Sequence, residues 1–199
     1  MPLYRYLMFR RAIGEDAEVV MLDERHAAEL FELIVCSRDH LRLWLPWVDD
    51  TCTPADSLDF ILRSLEQHAL GESLVTGIWQ GGRLAGVASL VAINPANRSA
   101  TIGYWVGAEH EGKGLVTRAC VALIDHAFGD LGLNRVVIRA ATGNRRSRAV
   151  PERLGFALEG VERQAEWVND RFVDMAVYSV LREEWFSRAG PSRPRSTRA

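Results

Sequence analysis

One stretch of this chain constrains its fold more than any other: Ile102-Gly-Tyr-Trp-Val-Gly-Ala-Glu-His-Glu-Gly-Lys-Gly-Leu-Val-Thr-Arg118. An apolar strand runs into a turn holding Gly112 and Gly114, and the turn opens a helix. Glycine has no Cβ, so backbone there can approach a ligand closely. The first N–H groups of a helix have no partner within it and point back at such a turn. With the positive end of the helix dipole they form an anion site suited to phosphate. Residues 112–117 are therefore expected to hold a phosphorylated ligand.

Two well-known phosphate loops do not fit. The dinucleotide pattern G-x-G-x-x-G needs a third glycine where Thr117 stands. The nucleotide P-loop needs Ser or Thr after its lysine, and Lys113 is followed by Gly114.

The chain has 199 residues, 48% hydrophobic and 25% charged, a balance expected of one globular domain. A net charge of −2 gives the body no general pull on nucleic acid. The three cysteines, Cys36, Cys52 and Cys120, are widely spaced and read as reduced thiols. The five histidines show no metal-ligand spacing, so no metal is expected. No apolar run reaches membrane-spanning length, and no signal peptide is read, so a cytoplasmic address is expected. A homodimer is left open.

Hydrophobic spacing divides the chain into elements. Short strands are expected over residues 8–22 and a helix over 24–36 with an apolar stripe of Ala27, Leu30, Phe31, Ile34 and Val35. Residues 41–47 read as a rigid aromatic loop around Pro46. Thr53-Pro54-Ala55-Asp56 starts a helix running to about 69. Strands follow over 74–79 and 84–93 around Gly81-Gly82, and over 100–106. Then come a helix over 116–130, a strand over 135–141, a helix from 144 to 154 and a closing hairpin over 161–168 and 172–181. Residues 1–188 form the domain. Residues 189–199, rich in Gly, Pro, Ser and Arg, are expected to be a disordered basic tail.

Four blocks carry a resemblance. Glu111-Gly-Lys-Gly-Leu-Val116 is similar to the pyrophosphate loop [Gln/Arg]-x-x-G-x-[Gly/Ala] of the GNAT superfamily of N-acetyltransferases, departing at Glu111 and Val116. Asn144-Arg-Arg-Ser147 with Leu154-Gly-Phe156 resembles the GNAT segment N-x-x-S…L-G-F. Arg163-Gln-Ala-Glu166-Trp through Asp174, with Tyr178, resembles the closing hairpin of RimL-type ribosomal-protein-serine acetyltransferases. Leu43-Trp-Leu-Pro-Trp47 is similar to their substrate-side loop. Together the blocks cover nearly the whole domain in the right order.

The resemblance implies an α+β fold: a mixed, mostly antiparallel sheet flanked by helices. Its strands at 100–106 and 135–141 would splay to hold acetyl-CoA. It implies acetyl transfer to an amine, with the N-terminus of a ribosomal protein beginning with a small residue such as Ser as the favoured acceptor. A polyamine or antibiotic acceptor, and a CoA-binding module without activity, are the alternatives. Glu166 matches the base and Ser147 the group that assists the leaving thiolate. Without the family, Glu166 reads as an exposed strand residue and Ser147 as a helix-capping one. The cofactor would lie on Gly112, Lys113, Gly114, Leu115, Val116, Thr117 and Asn144, with the N–H of Val106 or Gly107 on the carbonyl. Lys113 also reads as a solvated loop residue. Trp44, Trp47, Trp105 and Trp167 are candidates for the acceptor wall, or simply core.

Overall fold

The computed structural model describes residues 9–188; the tail expected over 189–199 lies outside them. Arg10–Ala12 (β1) and Ala17–Met21 (β2) pair as a hairpin. Asp23 then caps a helix start reciprocally: its side chain accepts the Arg25 N–H, and His26 Nδ1 accepts the Asp23 N–H, both at 3.0 Å. The expected helix is divided there into a 3₁₀ turn, Glu24–His26, and Ala27–Cys36 (α1). Ala27, Leu30 and Ile34 are buried, but Val35 is 45% exposed. One residue on from Ile34, it is turned about 100° away from the core.

The loop expected over 41–47 runs from the end of a short helix, Arg38–Leu41 (α2), into a 3₁₀ turn, Pro46–Asp50, with Pro46 at its first position. Arg38 fastens the turn by donating to the carbonyls of Val48 (2.5 Å) and Thr51 (2.6 Å). Pro54–Ala69 (α3) starts as expected, with Thr53 and Asp56 capping each other.

Leu74–Gln80 (β3), Arg83–Asn94 (β4) and Ser99–Val106 (β5) follow as an antiparallel meander. Leu115–Gly129 (α4), Arg135–Ala141 (β6) and Arg145–Arg153 (α5) come next. Ala157–Val168 (β7) and Arg171–Leu181 (β8) close the sheet, β7 beginning ahead of the expected Val161. A last helix, Arg182–Arg188 (α6), was not expected.

The eight strands run β1-β2-β3-β4-β5-β6-β8-β7, antiparallel at every step except β5–β6, which is parallel. Side-chain alternation along β5 divides the core between the two faces. Ala100, Ile102 and Tyr104 belong with the α4 residues Leu123, Ile124 and Phe128. Trp105 belongs with Leu30, Ile34, Val48 and Ile61 on the α1–α3 side. The β5–β6 ladder joins Ser99–Ile102 to Arg135–Ile138 and stops. From there β5 pairs only with β4, and β6 only with β8. This is the expected splay.

Candidate active site

The splay opens into a cavity of about 630 Å³. Gly103, Tyr104, Trp105 and Val106 form one wall, and Arg139–Ala141 with Gly143–Ser147 the other. Alternate β5 side chains point to opposite faces of the sheet, yet both sets line this space. The cavity therefore passes through the sheet, from the α4–α5 side to the α1–α3 side.

The wall of β5 also offers backbone. Gly107 donates its N–H to the Ala85 carbonyl at 2.8 Å. Bonded positions alternate along an antiparallel ladder, so the N–H groups of Tyr104 and Val106 face the gap. Of the two expected carbonyl donors, Val106 is available and Gly107 is not, because β4 has taken its hydrogen.

Across the gap, Asn144 caps α5 by accepting the Ser147 N–H at 3.0 Å. The cap is thus the Asn144 side chain, and the Ser147 hydroxyl is left for other work. It donates to Tyr104 Oη at 3.3 Å, while the Tyr104 O–H donates to the Ser147 carbonyl at 2.9 Å. Burial pushes the Tyr104 phenol far above its ordinary value, so it stays protonated. Sequence reasoning missed Tyr104. Its place two residues before Val106, on the same side of β5, was the available clue. Arg148 ties α5 to β8 through Tyr178 Oη (2.8 Å), and Tyr178 in turn donates to Glu152 (2.7 Å).

Glu166 reaches the cavity because β7 is irregular. Glu162 pairs with Met175, but Glu166 pairs with Val173. Four residues of β7 span two of β8, and the surplus forms a bulge with Gln164 at φ +49°. Asp174 holds the bulge by accepting the Gln164 N–H at 2.8 Å. In even register Glu166 would face Arg171, farther toward the hairpin tip. The bulge draws it back to face Val173, and Glu166 lines the gap together with Met175.

The four tryptophans separate. Trp44 lines the cavity, and Arg171 lies 5.9 Å over its ring. Arg171 and Asn169 also donate to the carbonyls of Leu43 and Arg42, clasping the hairpin tip to this loop. Trp105 lines the cavity too. Trp47 does not; its ring packs 6.0 Å from Trp105. Trp167 is a correction. Next to Glu166 on a strand, its side chain leaves from the opposite face, 52% exposed and packed edge-on to Phe172 at 4.7 Å.

The glycine turn lines an adjoining cavity of about 790 Å³. Gly112 and Gly114 have φ of +72° and +71°, values that suit glycine. No side chain caps α4, and its first internal bond runs from the Arg118 N–H to the Gly114 carbonyl. The N–H groups of Leu115, Val116 and Thr117 are thus left at the helix start. The Leu115 side chain is buried, so only its backbone can serve. Lys113 is not among the lining residues. Three arginines that sequence reasoning missed are: Arg118, Arg146 and Arg153. Arg153 donates to Thr117 Oγ1 at 2.8 Å. Glu111, the departure from the family loop, is paired with Arg146 and lies 3.3 Å from His40 Nε2. Its charge is thus answered within the site. Unpaired helix N–H groups, an open glycine backbone and guanidinium groups fit a diphosphate.

Among the described residues no group of three or more His, Cys, Asp or Glu side chains could hold a metal ion, and no helix is long and apolar enough to cross a membrane.

Comparison with known proteins agrees with this geometry. Residues 18–157 match the model of the acetyltransferase (GNAT) domain. A putative ribosomal N-acetyltransferase of Bacillus subtilis, YdaF, is 39% identical over 179 residues, 89% of this chain and 98% of that protein. The ribosomal-protein-serine acetyltransferase of Escherichia coli is 32% identical over 167 residues, 84% of this chain and 93% of that one. The solved structure of RimL, a ribosomal L7/L12 α-N-protein acetyltransferase in complex with coenzyme A, superposes with a TM-score of 0.84 at 28% identity, covering 87% of this chain and 98% of that one. The chain therefore belongs to the GNAT acetyltransferases, as an acyltransferase whose acetyl donor is acetyl-CoA.

Proposed function

We propose that this enzyme acetylates the N-terminal amine of a ribosomal protein whose first residue is small, serine foremost. The observation that carries the reading is the through-going cavity, which has Glu166 and Trp44 around its lining and the free edge of β5 along one wall. A peptide end can enter such a passage lengthwise, and an extended ligand can hydrogen-bond to an open strand edge. The names of the two similar proteins and of the RimL structure point the same way.

Acetyl-CoA supplies an activated acetyl thioester, and the chain's residues do the rest. The N–H groups at 115–117 and the arginines hold phosphate. Val106 N–H polarises the thioester carbonyl, a contribution on the order of 10²–10³ in rate. An α-amine has a pKa near ~8, so at neutral pH most of it is charged. Glu166 takes the proton that the amine must lose. Ser147 exchanges its long bond to Tyr104 for one to the sulfur and eases departure of a thiolate of pKa about 8.5. Asn144, besides capping α5, presents its amide to the same wall.

Peptides beginning with Ser, Ala and Trp should be assayed beside spermidine and an aminoglycoside. The Ser peptide is expected to react fastest and the Trp peptide slowest, since the amine must come within about 3 Å of the thioester carbon. Faster turnover of spermidine or the sugar than of every peptide overturns the acceptor and leaves the acetyltransferase standing.

A further inference from the structure

Next to the through-going cavity lies a second chamber. Trp105 lines the through-going cavity and also a separate space of about 510 Å³ on the α1–α3 face. The phosphate-binding turn opens on the other face, beside α4. An acceptor approaches from the face that the cofactor leaves free, and so passes Trp105.

The chamber is built from two kinds of group. Trp47, Phe60 and Trp105 give it aromatic surfaces, and Phe60 is 39% exposed. Asp50, Asp56 and Asp59 face a single guanidinium, Arg63. Asp56 is committed to the start of α3, and hydrogen bonds from the Thr53 hydroxyl and from the backbone hold its carboxyl below the usual range. Asp50 and Asp59 are exposed and form no ion pair among the described residues. Ser57 adds a further observation. It lines the chamber, is 2% exposed, and its hydroxyl has no hydrogen-bond partner among the described residues. Buried polar groups are almost always paired, so an orphan here is a place for a ligand atom.

These features select one ligand chemistry. An anion would meet the carboxylates, and a purely apolar group would leave them and Ser57 unused. A cation on an alkyl stem uses every part: the stem lies on the aromatic rings, the head meets their π faces and the carboxylates, and an N–H reaches Ser57. We infer that this chamber takes the ammonium or guanidinium group of a basic side chain borne by the acceptor, a few residues beyond the amine that is acetylated. The inference rests on the peptide-end reading and names a specificity within it.

The test uses peptides that begin with Ser and differ only in carrying Lys, Ala or Glu at one of positions two to five. Wild-type enzyme is compared with the double variant D50N/D59N, both positions being exposed and outside the reaction site. At one position the Lys peptide is expected to have a KM about three- to tenfold below that of the Ala peptide. The Glu peptide is expected above Ala, with kcat alike for all three. D50N/D59N should lose this ranking while keeping wild-type kcat and KM for the Ala peptide, which also reports that it folds. Equal KM for Lys and Ala at every position overturns the inference and leaves the peptide reading intact. If spermidine alters turnover of the Ala peptide, D50N/D59N abolishes that effect, and Lys peptides show no preference, the cation is a free polyamine and the acceptor-borne source is overturned. Turnover of spermidine with none of the peptides reacting overturns the peptide reading itself.

Discussion

At the scale of single residues, the site depends on which groups are already spoken for. Gly107 has spent its N–H on Ala85, and Asn144 has relieved Ser147 of capping. What remains available is Val106 N–H, the Ser147 hydroxyl and the Glu166 carboxylate, all along one cavity. Replacing Glu166 by Gln keeps the shape and removes the proposed proton acceptor. kcat/KM for the peptide should fall by roughly 10²–10⁴. The loss should be steepest below about pH 8, where the amine is charged and must give up a proton. Acetyl-CoA affinity by calorimetry should not move. Near-wild-type rates across that pH range would make Glu166 a structural residue. The motif Gln164-Ala-Glu166-Trp was legible in the sequence as a candidate. The fate of Trp167 followed from strand alternation alone and could have been read there too.

At the scale of elements, the decisive devices are irregularities. The β7 bulge, with Gln164 left-handed and Asp174 bracing it, sets where Glu166 stands along the hairpin. Hydrophobic alternation does not reveal such a bulge, because the surplus residues are exposed and carry no apolar pattern. Beyond the bulge, β7 is fixed to β6 and β8 by Glu159, which accepts from Arg135 and from Ser179 Oγ. The Arg135 guanidinium, and then the Ser179 hydroxyl, hold the Glu159 carboxyl at about 2, against an ordinary 4.5. A carboxylate depressed in the folded state adds stability that is complete above its unfolded value and is lost as pH falls toward its folded one. The melting-temperature gap between wild type and E159Q should therefore be constant above about pH 5 and close as pH falls toward 2. Because the pair is partly exposed, the gap should correspond to less than about 1 kcal/mol. A gap that persists unchanged at pH 2 would place the cause of E159Q's destabilisation elsewhere, for instance in packing.

At the scale of the whole molecule, one parallel pairing in an otherwise antiparallel sheet creates the site. After Ile102 and Ile138 the two halves of the sheet part, and the passage between them is bounded by elements distant in sequence: β5, α5, the β7–β8 hairpin and the Trp44 loop. A ligand that spans both halves should stabilise the fold as a unit. At one hundred times its Kd, acetyl-CoA adds about 2.7 kcal/mol, or roughly 5–10 °C in Tm for a domain of this size. Gly114→Asp should abolish most of that shift, because it puts a side chain at φ +71° and a carboxylate beside the proposed phosphate site. Unchanged calorimetric affinity in that variant would move the phosphate site away from this turn. The sequence by itself determined the order and type of nearly every long element and the glycine turn at the head of α4, since each is written in local periodicity, capping and turn chemistry; the α+β class came with the family resemblance that those motifs carry. Only the tertiary structure decided that Glu111 is answered by Arg146, that Tyr104 meets Ser147, that three arginines gather at one helix start, and that Trp47 and Trp105 back an acidic chamber. Each of these joins residues far apart in the chain, and short-range spacing carries no information about how the elements dock.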